Sequence, residues 1–222
     1  MGEDRSKWQA ADYAAVADWP GYFAAVSGKP ARETLLIALR AFDAEGVTRS
    51  PRVSVDLGAG EGRDTAELLR RGWRVEAIDA HEDAVGRIWA RPDLTNADRL
   101  RTVRSTYEEC MIPACDLLNA SFALPFCDPG LFPAVWRKIR GAVQPGGRFA
   151  GQFFGDRDSW AVIPGRNHQT EAQVRELLEG WEIEHFQVEE SDKPDAMGKM
   201  KHWHLFHVVA RKPGGPAPRN GP

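Results

Sequence analysis

Short apolar runs and amphipathic stretches succeed one another along most of the chain. Residues 53–57 (Val-Ser-Val-Asp-Leu) alternate between Pro51 and Gly58, the signature of a short buried strand. Residues 73–78, 100–103, 115–120 and 148–154 read the same way. Between them lie stretches with apolar residues at helical spacing. One covers 33–45 with Leu35, Leu36, Leu39 and Phe42, and another begins with Ala66, Leu68 and Leu69. Residues 81–90 form a third, ended by Arg91-Pro92, and 130–143 a fourth, with Leu131, Val135, Ile139 and Val143 on one stripe. Asp128-Pro129 is expected to cap that helix, with the proline at its first position. Thr170 is expected to cap a helix over 171–179. Residues 144–147 (Gln-Pro-Gly-Gly) read as a turn into the fifth strand. Two further strands, 181–190 and 201–211, are joined by residues 191–199.

The first thirty residues are aromatic and alanine-rich, with Trp8, Tyr13, Trp19, Tyr22 and Phe23. They predict short helices broken at Trp19-Pro20-Gly21 and Gly28-Lys29-Pro30. A length of 222 residues suits one domain with a small N-terminal cap. The net charge of −3 is well mixed in sign. Without a basic stripe, a nucleic-acid partner is not expected. No apolar run is long enough for a membrane span and no leader-like start is present, so a cytoplasmic protein is expected. Cys110, Cys115 and Cys127 are odd in number and lack metal-ligand or redox spacing.

Chemistry concentrates after the first strand. Gly58, Gly60 and Gly62 precede Arg63 and a helix, so strand, glycine turn and helix open a nucleotide-binding βαβ unit. The glycines let a ligand lie against bare backbone, and the helix start offers N–H groups to an anion. A dinucleotide site wants G-x-G-x-x-G with a small third residue, whereas Arg63 stands at that place. Asp79 closes the second strand 21 residues beyond Gly58, at the distance of a carboxylate that grips ribose hydroxyls.

The string D-x-G-x-G-x-G over Asp56–Gly62, with an acid ending the next strand, resembles the class I S-adenosylmethionine (SAM) methyltransferases. The proline-glycine-glycine turn before the fifth strand adds to the likeness. Segments such as Gly-Glu-Gly-Arg-Asp and Lys-His-Trp-His resemble the small bacterial tellurite-resistance and thiopurine-type group. The resemblance implies an α/β Rossmann-like sandwich: a seven-stranded, mostly parallel sheet with an antiparallel last strand and an N-terminal helical cap. It divides the chain into a cap over 1–47, a SAM-binding domain over 48–212 and a disordered tail over 213–222.

It further implies that SAM is held by Asp56, Gly58, Ala59, Gly60, Gly62, Arg63, Asp79 and Ala80. Thr106, Tyr107 and Glu108, after the third strand, border the adenine. Arg32 (with Thr34) is placed to bond a carboxylate. Asn119 and Ser121 are polar residues at the end of an apolar fourth strand and need partners if buried, which suits a ligand role. With Tyr22 they are the expected catalytic residues. Tyr13 and Tyr22 are the lid aromatics that would face a sulfonium. Tyr13, Trp160 and His202 are expected to meet the acceptor, with Arg157 and Asp158 as neighbours. His202, His204 and His207 do not converge on a strand, because alternation puts His207 on the opposite face, so no metal is expected.

The expected reaction is SN2 methyl transfer to a small molecule by a monomer or homodimer. No acid–base dyad is evident in the sequence, which favours a soft nucleophile or a carboxylate. Two other readings stay open. In one, the amine of SAM's aminobutyl chain attacks its own γ-carbon, giving azetidine-2-carboxylate and methylthioadenosine. In the other, the chain binds SAM without catalysis.

Overall fold

The structure is a computed structural model and describes residues 18–46 and 51–214. Tyr13, the rest of 1–17, residues 47–50 and the tail from 215 lie outside the described residues.

Seven strands form one sheet: β1 (Val53–Leu57), β2 (Arg74–Asp79), β3 (Leu100–Arg104), β4 (Cys115–Ala120), β5 (Val143–Phe154), β6 (Glu182–Pro194) and β7 (Met200–Arg211). Their order is β3-β2-β1-β4-β5-β7-β6. β1 to β5 are parallel, and β7 runs antiparallel to both β5 and β6. Strand order reverses between β1 and β4, and ligands in such sheets bind outside the carboxyl ends of the strands at that crevice. The expected topology is therefore the observed one.

Helices α1 (Trp19–Val26), α2 (Glu33–Glu45), α3 (Arg63–Arg70), α4 (Glu82–Trp89), α5 (Phe132–Ala142) and α6 (Glu171–Leu177) accompany the strands. Strand alternation sends side chains to opposite faces, and each face buries its own core. One core joins Leu118, Phe149, Phe153, Phe206 and Val208 to Val135, Trp136 and Ile139 of α5 and Val174 of α6. The other joins Leu117, Ala150 and Val209 to Leu35, Leu39 and Phe42 of α2 and Leu68 and Leu69 of α3. No helix among the described residues is long and apolar enough to cross a membrane.

Several boundaries differ from expectation. Trp19-Pro20-Gly21 begins α1 rather than breaking a helix: Asp18 accepts from Gly21 N at 2.9 Å, and proline is tolerated in a first turn. α5 starts at Phe132, and Asp128 instead accepts from Gly130 N at 2.7 Å in the preceding turn. β5 starts at Val143, which pairs with Cys115 of β4, and its next residues are held to the end of β7: Gly146 N donates to Lys212 O and Lys212 N donates to Gly147 O, both at 2.8 Å. The turn sequence is thus drawn into the sheet. β6 runs on to Pro194, a residue an edge strand admits because its missing N–H need not face a neighbour. The connection to β7 shrinks accordingly to a tight turn. Thr170 does cap α6, with Gln173 returning the bond to Thr170 N in a capping box.

Candidate active site

One cavity of about 640 Å³ lies beyond the carboxyl ends of β1, β2 and β4 and is walled by α1 and the β6–β7 hairpin. Gly58 and Gly60 form part of its floor. A Cβ at Gly58 would lie 2.5 Å from the Ala123 Cβ and 3.0 Å from the Tyr107 hydroxyl, so only glycine leaves that floor open. Gly62 faces the other way. Its left-handed φ of 84° caps α3, and a Cβ there would lie 2.7 Å from Ile88, so it is a packing glycine outside the cavity lining.

Asp79 lines the cavity and braces the turn, accepting from Gly60 N and His81 N at 2.8 Å each. Arg63 lines it too, and its Nη2 is buried with no hydrogen-bond partner. A partnerless guanidinium nitrogen beside helix α3 calls for an anion such as a carboxylate. Ala80, Thr106, Tyr107 and Glu108 complete this end. Burial pushes the Tyr107 phenol far above its ordinary value, so it stays a neutral donor. A carboxylate, a cationic counterpart and an adenine-sized polar rim fit the parts of SAM.

Asp56 and Asn119 do not line the cavity; they lie beneath it. The Asn119 amide donates to Asp56 Oδ1 at 2.9 Å and to Asp64 Oδ2 at 3.0 Å, using both its hydrogens. Its carbonyl accepts from Ser121 Oγ at 3.0 Å. Ser121 does reach the cavity, and with its proton directed at Asn119 it presents an acceptor there. Thr65 donates to Asp56 at 2.6 Å, and Arg32 N donates to Asp64 at 2.8 Å. Burial, and then the charge of Asp64, push the Asp56 carboxyl up to about 7 against the hydrogen bonds of Thr65 and Asn119.

The other side of the cavity is aromatic. Tyr22 lines the cavity, and its hydroxyl accepts from Arg32 Nη2 at 3.1 Å. Arg32 also lines the cavity and lies 4.2 Å over the Phe122 ring. Phe122 has a left-handed φ of 54°, held by Gln152, whose Oε1 accepts from Phe122 N at 2.9 Å. Such backbone strain costs about 1–3 kcal/mol and gathers at ligand sites. Gln152 in turn donates to Thr34 at 2.9 Å, which makes Thr34 a support rather than a contact. Trp160 lines the cavity as expected.

His202 does not line the cavity. Its ring meets Asp192 at 2.7 Å and Glu190 at 3.3 Å on the hairpin's outer edge. Ala59 is likewise absent from the lining; its N–H donates to Ile78 O at 3.1 Å. Arg157 pairs with Glu190, and Asp158 is buried under Lys201. No group of three metal-ligating side chains occurs among the described residues.

Other lining residues carry no motif: Trp19, Phe23, Phe126, Phe154, Glu189 and Trp203 among them. Glu189 is the most consequential. Its Oε2 lies 3.0 Å from His207 Nε2, and Lys193 pairs with its other oxygen. Burial works to raise its pKa, but the bonds from Lys193 and His207 outweigh that and hold it below the ordinary range. Burial keeps the His207 imidazole below its usual value, outweighing the carboxylate beside it. No such pair is evident in the sequence; the hairpin register brings Glu189 and His207 together, with Glu189 in the cavity lining and His207 behind it.

Residues 55–147 match a family profile described as a methyltransferase domain. The search of curated proteins finds no match. Among solved structures, the chain is similar to TehB from Haemophilus influenzae, with a TM-score of 0.64 and 19% identity over 78% of this chain. It spans 61% of TehB's length. It is also similar to the 1,6-didemethyltoxoflavin-N1-methyltransferase of Burkholderia thailandensis, solved with that compound and S-adenosylhomocysteine. That match has a TM-score of 0.63 and 24% identity, covering 95% of this chain and 93% of the other. A SAM-dependent methyltransferase from Mesorhizobium loti matches with a TM-score of 0.55 and 21% identity over 79% of this chain and 97% of its own. Profile, sheet order and glycine turn agree: residues 55–147 match a methyltransferase domain, and the sheet that holds them has the class I methyltransferase fold.

Proposed function

We propose that this chain transfers a methyl group from SAM to a small molecule. The observation that carries the reading is the continuity of the cavity, which runs from the glycine turn and Asp79 to a separate aromatic end. One end suits the cofactor, and the other leaves room for a second molecule. The bound small molecule of the Burkholderia relative supports the same reading.

SAM supplies a methyl carbon activated by a sulfonium, so the protein's task is to bind, align and exclude water. Asp79 receives the ribose hydroxyls with the oxygen lone pairs left by Gly60 and His81. Arg63 meets the carboxylate, and Ser121 accepts from the ammonium. Thr106, Tyr107 and Glu108 border the base. Tyr22, fixed by Arg32, orients the reacting end, and Asn119 acts from below by setting Ser121. The described part of the N-terminal segment serves as the cap and contributes Trp19, Tyr22 and Phe23 to the cavity.

The test is a mass-spectrometric product assay on purified protein with SAM, first alone and then with a cell extract. S-adenosylhomocysteine formed only with extract is the expected result. Methylthioadenosine accumulating without any acceptor would replace methyl transfer by attack on the aminobutyl chain. Tight SAM binding with neither product would leave a binding module.

A further inference from the structure

Phe154, Trp203 and Leu205 form a small core of their own, with Phe122 and Trp160 packed against it. It sits on β5 and β7, two and three strands along the sheet from β1 and its glycine turn. At the usual strand spacing that is roughly 10–15 Å, the length of a second ligand rather than of a contact to SAM's sulfur. The rings are contiguous. Trp160 lies 5.7 Å from Phe154, 5.9 Å from Trp203 and 6.4 Å from Phe126, and Phe126 lies 4.8 Å from Trp19. Trp203 is fixed by its Nε1–H, which donates to Lys193 O at 3.0 Å.

A box of aromatic rings ordinarily suggests a cationic ligand. Here the protein supplies the cation itself. Lys201 is 3% exposed, and its Nζ lies 3.7 Å from the Trp160 centroid, 3.9 Å from Trp203 and 4.8 Å from Phe154. Asp158 accepts from it at 2.6 Å and also from Trp160 N at 2.9 Å and His204 N at 3.1 Å. Lys201 is outside the cavity lining, whereas Phe154, Trp160 and Trp203 are part of it. The lysine, outside the lining, draws on the rings' π-density from behind, while Arg32 covers Phe122 from within the cavity. What remains toward the cavity is an apolar wall of rings set at 47–87° to one another, with Lys193 6.0 Å from Trp203, and it has little left to offer a further positive charge. At its polar margin stands Glu189, on the strand position paired with Leu205.

We propose that the acceptor is a planar aromatic or heteroaromatic molecule, uncharged or anionic, that carries an O–H or N–H and lies against Phe126, Phe154, Trp160 and Trp203 with that group turned to Glu189. This rests on the methyl transfer proposed above. The ring's oxygen or nitrogen lone pair forms the bond to the methyl carbon while the carbon–sulfur bond breaks, its electrons staying on sulfur as S-adenosylhomocysteine. The released proton passes to Glu189, displacing one of the bonds by which Lys193 and His207 hold its two oxygens.

The experiment loads the purified protein with S-adenosylhomocysteine and titrates it in a calorimeter with 2-naphthol, with 1-methylquinolinium and with dithiothreitol. The same probes are then incubated with SAM and the products weighed by mass spectrometry. Binding of 2-naphthol and not of 1-methylquinolinium is expected, together with methylated naphthol. Trp160→Leu should weaken naphthol binding at least tenfold while leaving SAM affinity within twofold. Glu189→Gln should keep naphthol binding and lower kcat at least tenfold. Replacing the buried pair together, Lys201→Met with Asp158→Asn, should let 1-methylquinolinium bind. Should that variant fail to fold, Trp160→Leu still decides. Equal binding of both rings to the wild type, or unchanged naphthol binding by Trp160→Leu, would overturn the ring site. Methylation of dithiothreitol without ring binding would overturn it while methyl transfer stood. Ring binding without any S-adenosylhomocysteine from SAM would sink methyl transfer and leave the ring site standing.

Discussion

Asp79 shows how one carboxylate does two jobs. It holds the glycine turn through Gly60 and His81, and it faces the cavity. Asp79→Ala is expected to weaken SAM binding about 10- to 100-fold, the worth of one or two charge-assisted hydrogen bonds. Calorimetry that shows unchanged affinity would remove it from the site. Beneath it, the Asp56–Asn119–Asp64 cluster makes a stability prediction with a definite sign. Asp56 titrates at 3.8 when unperturbed and at about 7 in the fold, so between those values the folded chain binds the extra proton. Its contribution is therefore present at the acid end and is lost as pH rises through about 7. Asp56→Asn should gain melting temperature relative to the wild type as pH climbs through that window. A difference that stays flat with pH would mean that Asp56 is ionised throughout.

Among the elements, legibility followed the kind of signal each carries. α2 was readable to the residue, because four apolar residues at helical spacing are a strong pattern and its face is buried. The glycine turn and Asp79 were readable because steric need dictates residue type at fixed spacing. β6 was shortened in the reading because it is an edge strand, largely exposed, and its outer residues alternate charges rather than apolar groups. What the sequence does not carry is the pairing register of that edge hairpin, and the register builds the site's other half. Glu189 meets His207 only in the observed register, and the Phe154–Trp160–Trp203 wall draws on residues far apart in sequence. Asn119 was singled out for needing partners; they turned out to be buried acids rather than a ligand. His202 fell on the outer edge for the same reason of register. At this scale the capped helix α1 is also testable. Asp18→Ala removes the bond to Gly21 N and should cost the helix about 1 kcal/mol. Faster amide exchange over 19–26, with the exchange of β1 and β4 unchanged, is the expected outcome; unaltered exchange in α1 would contradict it.

For the molecule as a whole, Arg148 is the tie between layers. It is 2% exposed and reaches Glu184 of β6 at 2.6 Å and 2.7 Å and Glu45 of α2 at 2.6 Å and 3.2 Å, with Phe42 4.3 Å beneath it. Breaking such a pair from one side is costly because the partners lose their counter-charge. Here both carboxylates reach water, which puts Arg148→Ala near the low end, at about 3 kcal/mol. Chemical denaturation measures it, and a loss under about 1 kcal/mol would show that the carboxylates rehydrate freely.

The cavity's two outer walls, α1 and the β6–β7 hairpin, also touch each other. A Cβ on Gly21 of α1 would lie 2.9 Å from the Met197 methyl at the hairpin tip, so the absence of a side chain at one place makes room for the other. Atoms of Asp18 would lie nearer still to that Cβ, so α1 is fitted at this glycine both to its own cap and to the hairpin tip. A hairpin tip transplanted from a relative with a different acceptor would arrive without its matching helix and gape or collide at this seam. Changing what the chain accepts is therefore a matter of inheriting two distant segments as a pair, on a sheet that need not notice either.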